Sequence, residues 1–283
     1  MIPRRMFGAS GAALPALGFG VSGPHATGLV PRNLTSRLVR QALDAGASLF
    51  DTAPFYGDGE AEARLGAALS GARDAAFICT KVGTVRTPGD LAKDFTPAHI
   101  AASAEASLKR LNTDRIDALL LHGPSARDLN DEVIGALESL RQAGKLRFIG
   151  VCGRGPELEA AIASHRFDLI MAPAGPSVAK PALARAAAAR AAGMGVLGIE
   201  IMARSAPVWR MPLHPADFWY LARSARRQAP RLTAGARPAP STSGPLQDLE
   251  WALAGEACDT AVITTTRPAH LAANIEVARR AGA

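Results

Sequence analysis

The sequence predicts an α/β protein that closes into a (β/α)8 barrel, in which parallel strands alternate with helices. Eight short apolar runs alternate with eight segments of helical spacing along 283 residues. The runs are almost continuously apolar, as expected for parallel strands that are buried on both faces. No glycine-rich phosphate loop opens a helix after a strand, which disfavours an open doubly wound sheet. We therefore expect a single barrel domain over residues 1–283.

The predicted elements follow one another in a regular order. In chain order the strands cover residues 16–20, 48–51, 76–81, 116–122, 148–152, 169–172, 196–201 and 261–264. The helices between them carry start and stop signals, such as Pro97 in a first turn and Gly144 after a last turn. They cover residues 35–45, 60–69, 97–110, 129–143, 156–163, 181–192, 246–254 and 268–280.

One segment, residues 205–245, interrupts the alternation between the seventh and eighth strands. Its first part contains Trp219 and Tyr220, and its spacing predicts an extra helix over residues 216–228. Its second part, residues 229–245, is rich in Pro, Ala, Gly and Ser and predicts a long loop. The barrel therefore gains an insertion at one strand end.

Composition excludes several classes of protein. With 48% hydrophobic and 20% charged residues, the chain is too apolar to be disordered. It lacks the long apolar run of a membrane span. The net charge of +7 comes without a nucleic-acid-binding motif, so it favours a small anionic ligand over nucleic acid. We expect a monomer or a weak homo-oligomer.

The cysteines indicate a reducing environment and no structural metal. Cys79, Cys152 and Cys258 are far apart, and none has the Cys or His neighbours that zinc sites require. An odd number of free thiols is typical of the cytosol. We therefore expect a cytoplasmic protein without a bound metal.

Polar residues at consecutive strand ends form a candidate catalytic set. Asp51, Lys81 and His122 each end an apolar run, and Tyr56 follows Asp51 closely. Active sites of barrels lie where strands end and turn into the next helix, so these four side chains should meet at one mouth.

The chemistry that these four groups allow is proton transfer. A tyrosine has an ordinary pKa of about 10, and a nearby ammonium such as Lys81 should lower the pKa of Tyr56. Asp51 would balance the charge of Lys81, and a neutral His122 would orient a carbonyl oxygen. Tyr56 could then give a proton to that oxygen as a hydride reaches the carbon, provided that a cofactor donates the hydride.

Residues 44–62, DAGASLFDTAPFYGDGEAE, resemble the signature of the aldo-keto reductase family. Residues 14–20, LPALGFG, are similar to that family's first barrel strand, and residues 140–151, LRQAGKLRFIGV, to the start of its fifth. The resemblance implies a barrel that reduces carbonyls or oxidises alcohols with a nicotinamide cofactor. It also implies a catalytic tetrad of Asp51, Tyr56, Lys81 and His122.

The resemblance further implies residues around the nicotinamide ring, and here the chain departs from the family. Cys152, Gly153 and Met171 occupy the places of the polar residues that hold the carboxamide, and Ile199 that of a stacking tyrosine. The polar clamp on the ring is therefore largely lost, unless main chain or Arg154 replaces it.

The other end of the cofactor site is better matched. By resemblance, it comprises Thr264, Thr265, Thr266, Arg267, His270 and Asn274 after the eighth strand, with Ala203, Arg204 and Ser205 near the pyrophosphate. Hydroxyls and an arginine at a helix start suit a phosphate, which favours NADP, with NAD as the alternative.

The resulting hypothesis is an NAD(P)-dependent oxidoreductase that acts on a small aldehyde, ketone or sugar-like substrate. The altered ring pocket leaves two alternatives, a cofactor-binding regulatory barrel with little turnover and a non-redox isomerase or lyase that uses the same tetrad. Residues 21–33, 123–128 and 205–245 are the candidate substrate loops.

Overall fold

A computed structural model describes residues 1–87, 90–202, 214–228, 244–255 and 257–281. Its strands are β1 (Arg4–Met6), β2 (Ala13–Pro15), β3 (Leu17–Gly20), β4 (Leu49–Asp51), β5 (Phe77–Val82), β6 (Thr84–Thr87), β7 (Asp90–Lys93), β8 (Ile116–His122), β9 (Leu146–Cys152), β10 (Leu169–Pro173), β11 (Gly195–Ile199) and β12 (Thr260–Ile263). Its helices are α1 (Arg32–Asp44), α2 (Glu60–Ala68), α3 (Pro97–Leu111), α4 (Asp131–Gln142), α5 (Pro156–Ser164), α6 (Lys180–Ala191), α7 (Pro215–Gln228), α8 (Pro245–Ala254) and α9 (Pro268–Arg280).

The predicted barrel is confirmed. Eight parallel strands close in the order β3, β4, β5, β8, β9, β10, β11 and β12, and β12 pairs again with β3. The extra helix predicted between the seventh and eighth barrel strands is α7. Most of the long loop predicted after it, residues 229–243, lies outside the described residues.

Two short hairpins were not predicted. β1 pairs with β2 ahead of the barrel, and β6 pairs with β7 directly after the third barrel strand. Their strands have three or four residues, too few for a periodic pattern to stand out. The second hairpin lies at the carboxyl ends of the barrel strands, beside the candidate site.

The first hairpin closes the amino-terminal end of the barrel with Phe7. The Phe7 ring is fully buried and lies 6.3 Å and 6.2 Å, centroid to centroid, from the rings of Phe77 and Phe148. A Cβ on Gly195 would lie 2.5 Å from the Phe7 ring, so only glycine fits there. The hairpin therefore acts as an aromatic plug in the barrel interior.

Carboxylates join the starts of neighbouring barrel strands at the same end. Each accepts a backbone N–H of the adjacent strand and also pairs with an arginine. The sets are Asp117 with Ile78 N–H and Arg73, Asp168 with Ile149 N–H and Arg141, and Asp259 with Val196 N–H and Arg190. The amino-terminal end thus serves stability, which leaves the carboxyl ends for chemistry.

A helix that spans a membrane must be both long and apolar. Within the described ranges, every helix is too short or too polar to cross a bilayer.

The substitution Phe7→Ala should destabilise the protein by about 3–5 kcal/mol, because it opens a cavity at the base of the barrel. The free energy of unfolding in urea measures this loss. Met6→Ala on the same hairpin is the matched control, since Met6 is 61% exposed and its loss should cost under about 0.5 kcal/mol. Equal losses of unfolding free energy in the two variants would contradict the role of Phe7 in filling this end of the barrel.

Candidate active site

The structure brings the four predicted catalytic residues together at the carboxyl ends of adjacent strands. Asp51 ends β4, Lys81 lies near the end of β5, His122 ends β8, and Tyr56 lies in the turn after β4. The Lys81 ammonium is 5.3 Å from the centroid of the Tyr56 ring. The rings of Tyr56 and His122 meet edge to face, with centroids 6.2 Å apart.

Asp51 and Lys81 form a buried ion pair beneath this mouth. The Lys81 ammonium donates to Asp51 Oδ1 and, at 2.9 Å, to the backbone oxygen of Thr52. The two residues are 5% and 1% exposed. Burial is the largest influence on Lys81 and by itself lowers its pKa, but the charge of Asp51, together with Tyr56, Cys152 and Cys79, raises that pKa overall, so the ammonium stays charged. Burial raises the pKa of Asp51, and the Lys81 ammonium opposes that rise.

Tyr56 departs from the sequence-based expectation. Lys81 was expected to lower the pKa of this phenol. Burial raises the pKa of Tyr56 to about 12, because desolvation of the phenolate outweighs the attraction of the nearby ammonium. The expected net direction was therefore wrong, and Tyr56 is a protonated phenol at physiological pH.

His122 is neutral at physiological pH, as expected. Burial, followed by the charges of Lys81, Lys93 and Arg154, lowers the pKa of His122 to about 3. A neutral imidazole donates from one ring nitrogen and accepts at the other. It can therefore hold a carbonyl oxygen without protonating it.

The predicted ring pocket has an apolar floor. Cys152 and Met171 are buried in the barrel interior, and Ile199 packs against the same cluster. Burial raises the pKa of the Cys152 thiol, so it stays protonated. Gly153 donates its backbone N–H to Met171 O at 3.0 Å, and a Cβ there would collide with the Glu157 carboxylate at 2.3 Å. These side chains bring no charged group to the pocket.

An ion pair that sequence analysis did not find lies beside this floor. Arg154, after β9, donates to Glu200 Oε1 from Nη2 at 2.8 Å and from Nε at 3.3 Å. Glu200 follows β11 with a φ of 57°, a left-handed conformation that is uncommon outside glycine. The partners are 46 residues apart, and no local pattern signals such a pair.

The residues predicted to bind the cofactor phosphates also lie at this end of the barrel. Thr264, Thr265 and Thr266 follow β12, and the last two are buried. Arg267 directly precedes α9, but its guanidinium contacts both carboxylate oxygens of Asp217 on α7 at 2.8 and 3.0 Å. An anion that uses Arg267 must therefore compete with Asp217.

Five further residues were predicted to contact the cofactor. Asn274 is buried on α9, one turn beyond the exposed His270. Ala203, Arg204 and Ser205 lie outside the described residues.

His25 is a further residue that sequence analysis missed. It is fully buried after the first barrel strand, and its ring nitrogens lie 3.1 Å from Thr35 Oγ1 and 3.0 Å from Thr265 O. Burial lowers the pKa of His25 to about 4, so the ring is neutral. Because a carbonyl only accepts, His25 donates to Thr265 O and accepts from Thr35. His25 thus ties the first strand's loop to the predicted phosphate loop.

The described residues contain no cluster of three or more His, Cys, Asp or Glu side chains suited to a metal ion.

Comparisons with known proteins find similar sequences and similar folds. The sequence model described as "Aldo/keto reductase family" matches residues 16–173. A D-threo-aldose 1-dehydrogenase from Pseudomonas sp. is 33% identical over 208 residues, which cover 60% of this chain and 62% of the relative. The "Aldo-keto reductase yakc [NADP(+)]" of Schizosaccharomyces pombe is 34% identical over 155 residues, which cover 53% of this chain and 45% of the relative.

Among solved structures, the holo form of an aldo-keto reductase from Bacillus halodurans is similar over almost the whole chain. Its TM-score is 0.78 at 25% sequence identity, covering 98% of this chain and 91% of that structure. The matches to the two curated relatives span only 62% and 45% of their length.

The substitution Asp51→Asn should destabilise the protein by roughly 3–5 kcal/mol, because it leaves the buried Lys81 ammonium without its counter-ion. The double variant D51N/K81M should recover much of that loss, since it removes both charges. Urea unfolding measures both effects. Asp58→Asn breaks the exposed Arg86–Asp58 pair and should cost under about 1 kcal/mol. A double variant as unstable as D51N would contradict the ion-pair account.

Proposed function

Since the chain belongs to the aldo/keto reductase family, we propose that it is an NADP-dependent oxidoreductase acting on a small carbonyl or alcohol substrate. The observation that carries this proposal is the meeting of Tyr56, His122 and the Asp51–Lys81 pair at one barrel mouth. The names of the two curated relatives support a sugar-like substrate and NADP as the cofactor.

The proposed mechanism assigns one task to each group. His122, neutral and half-buried, donates a hydrogen bond to the carbonyl oxygen and orients it. Tyr56 gives its phenolic proton to that oxygen as the carbon is reduced. The Lys81 ammonium stabilises the phenolate that Tyr56 leaves, and Asp51 keeps that ammonium charged in a buried site. A bound nicotinamide supplies the hydride.

The raised pKa of Tyr56, about 12, keeps the phenol protonated at physiological pH. In the proposed reduction the phenol is the proton donor, so Tyr56 is in the protonation state that this task requires.

The residues at the proposed cofactor site suit a dinucleotide phosphate. Among the described residues no side chain caps the start of α9, and its first turn contains no acidic residue. The free N–H groups of such a helix end attract a phosphate. Thr264 and Arg267 would hold it there.

The apolar floor also favours a second candidate function. Cys152 and Met171 replace polar groups that would grip a carboxamide, which supports a cofactor-binding barrel with little turnover. Measured turnover of a reactive aldehyde separates the two candidates, because such a barrel would bind NADPH without oxidising it.

We also propose that the protein works in a reducing compartment such as the cytoplasm. In support, Cys79, Cys152 and Cys258 are free and buried.

The substitution Tyr56→Phe tests the proposed function. Reduction of 4-nitrobenzaldehyde with NADPH should slow by about 10²- to 10⁴-fold, because the proton donor is lost. The Kd for NADPH, followed by fluorescence quenching, should change less than about twofold. A variant that keeps more than a tenth of the wild-type rate would rule out Tyr56 as the acid.

The pH profile of the wild-type enzyme tests the protonation states assigned to His122 and Tyr56. His122 is neutral above about pH 3 and Tyr56 is protonated below about pH 12. The rate of the chemical step should therefore stay flat between about pH 5 and pH 10. A titration near neutral pH in that step would contradict both assigned states.

The substitution Asp217→Asn tests the proposed phosphate site. It removes the carboxylate that occupies Arg267 and retains an oxygen for the His214 N–H, which bonds Asp217 at 3.1 Å. The Kd for NADPH should fall about tenfold, and the Kd for NADH should not change, since only NADPH carries a 2′-phosphate. The D217N/R267Q variant should lose the gain. An equal change for both cofactors would contradict the assignment of Arg267 to that phosphate.

A further inference from the structure

Lys93 places an ammonium group at the mouth that the mechanism above does not use. It ends the hairpin strand β7 and donates to the backbone oxygen of His122 and, at 2.7 Å, to Thr84 Oγ1. In the described part of the chain no carboxylate lies within ion-pair distance of it. Asp128 acts on it only from farther away, and that carboxylate accepts from the N–H and hydroxyl of Ser125 at 2.7 and 2.8 Å. The positive charge of Lys93 is thus not neutralised by direct contact.

Arg154 approaches His122 from the opposite neighbour of β8. Cys152 is in register with His122, and Gly123 donates its N–H to Cys152 O at 2.8 Å. Arg154, two residues later, therefore leaves the barrel beside the end of β8. Its Nε and Nη2 bind Glu200, while Nη1 has no acceptor among the residues that the structure describes. The side chain is 56% exposed, so a ligand can reach the guanidinium.

The two cations act on the same imidazole. After burial and Lys81, the charges of Lys93 and Arg154 are the further causes that lower the pKa of His122. In the proposed mechanism His122 holds the carbonyl oxygen. A group attached near that carbonyl would lie within the field of both cations.

We propose that the substrate carries a carboxylate close to its carbonyl group, and that Lys93 and Arg154 bind this carboxylate while His122 binds the carbonyl oxygen. This inference rests on the proposed reductase function. The chemical class is an oxo acid or an aldehyde acid, which includes the acid forms of sugars.

The chemistry of the two cations fits a carboxylate. The arginine brings planar N–H donors that match carboxylate geometry, and the lysine brings a compact charge that Thr84 and the His122 carbonyl orient. Glu200 holds the guanidinium in place and leaves Nη1 free to donate. A neutral sugar or aldehyde would gain no ion pair with Lys93.

Matched substrate pairs test the proposal. The first pair is 3-carboxybenzaldehyde and 3-nitrobenzaldehyde, which have nearly the same shape but differ in charge. The second is 2-oxobutanoate and 2,3-pentanedione. The quantity measured is the ratio of kcat/KM, charged over neutral, for the wild type and for K93Q and R154Q. Intrinsic differences in carbonyl reactivity cancel when the same ratio is compared between variants.

Each variant should lower that ratio by about tenfold or more, mainly through KM for the charged substrate. The exposed Lys109 on α3 provides the control K109Q, which should leave the ratio unchanged. Raising the salt concentration should raise KM for the charged member of each pair only. Lys93 also bonds the His122 carbonyl. Any disturbance of His122 in K93Q would therefore lower kcat/KM equally for the charged and the neutral substrate, and the ratio would not change.

Other outcomes overturn the proposal in distinguishable ways. Ratios in K93Q and R154Q equal to that of the wild type would refute the anion site. A weaker Kd for NADPH in R154Q with an unchanged ratio would assign Arg154 to the cofactor instead. If the wild type reduced neither member of either pair, the proposed reductase function itself would fail.

Discussion

The buried ion pair of Asp51 and Lys81 is the constraint on which the rest of the site depends. Both charges are withdrawn from water, which is costly unless each finds its partner in good geometry. The barrel supplies that geometry, because β4 and β5 are adjacent and Asp51 is in register with Cys79, two residues before Lys81. The same register presents the ammonium to the Tyr56 ring. A site of this kind cannot form until both strands are in place.

The two ends of the barrel divide stability from chemistry. At the amino-terminal end, Phe7 fills the interior and carboxylates pin neighbouring strands through their backbone N–H groups. At the carboxyl end, hydrogen bonds join one loop to another. His25 reaches Thr265, and Lys93 reaches the His122 carbonyl. Such contacts hold loops that carry function without making them part of the barrel core.

The cations described at the mouth are paired with protein carboxylates, except for one. Three of the cations described there are paired with protein carboxylates: Lys81 with Asp51, Arg154 with Glu200 and Arg267 with Asp217. A ligand that binds a paired cation must compete with the protein carboxylate or share the cation with it, so the ligand binds less tightly. Lys93, held only by neutral oxygens among the described residues, offers its charge without that competition. Burial, followed by the charges of Lys81, Lys93 and Arg154, keeps His122 neutral.

The sequence by itself determined the barrel and the identity of the four residues at its mouth. Apolar runs ending in Asp51, Lys81 and His122 are local features, and parallel strands necessarily bring their carboxyl ends to one edge. The tertiary structure alone decided the other pairings at the mouth and the net direction of the Tyr56 pKa shift. Partners such as Arg154 and Glu200, Arg267 and Asp217, or His25 and Thr265 are 46, 50 and 240 residues apart, beyond any local pattern. The pKa of Tyr56 rises rather than falls because desolvation depends on how tightly the whole fold encloses the phenol, and no spacing of residues encodes that.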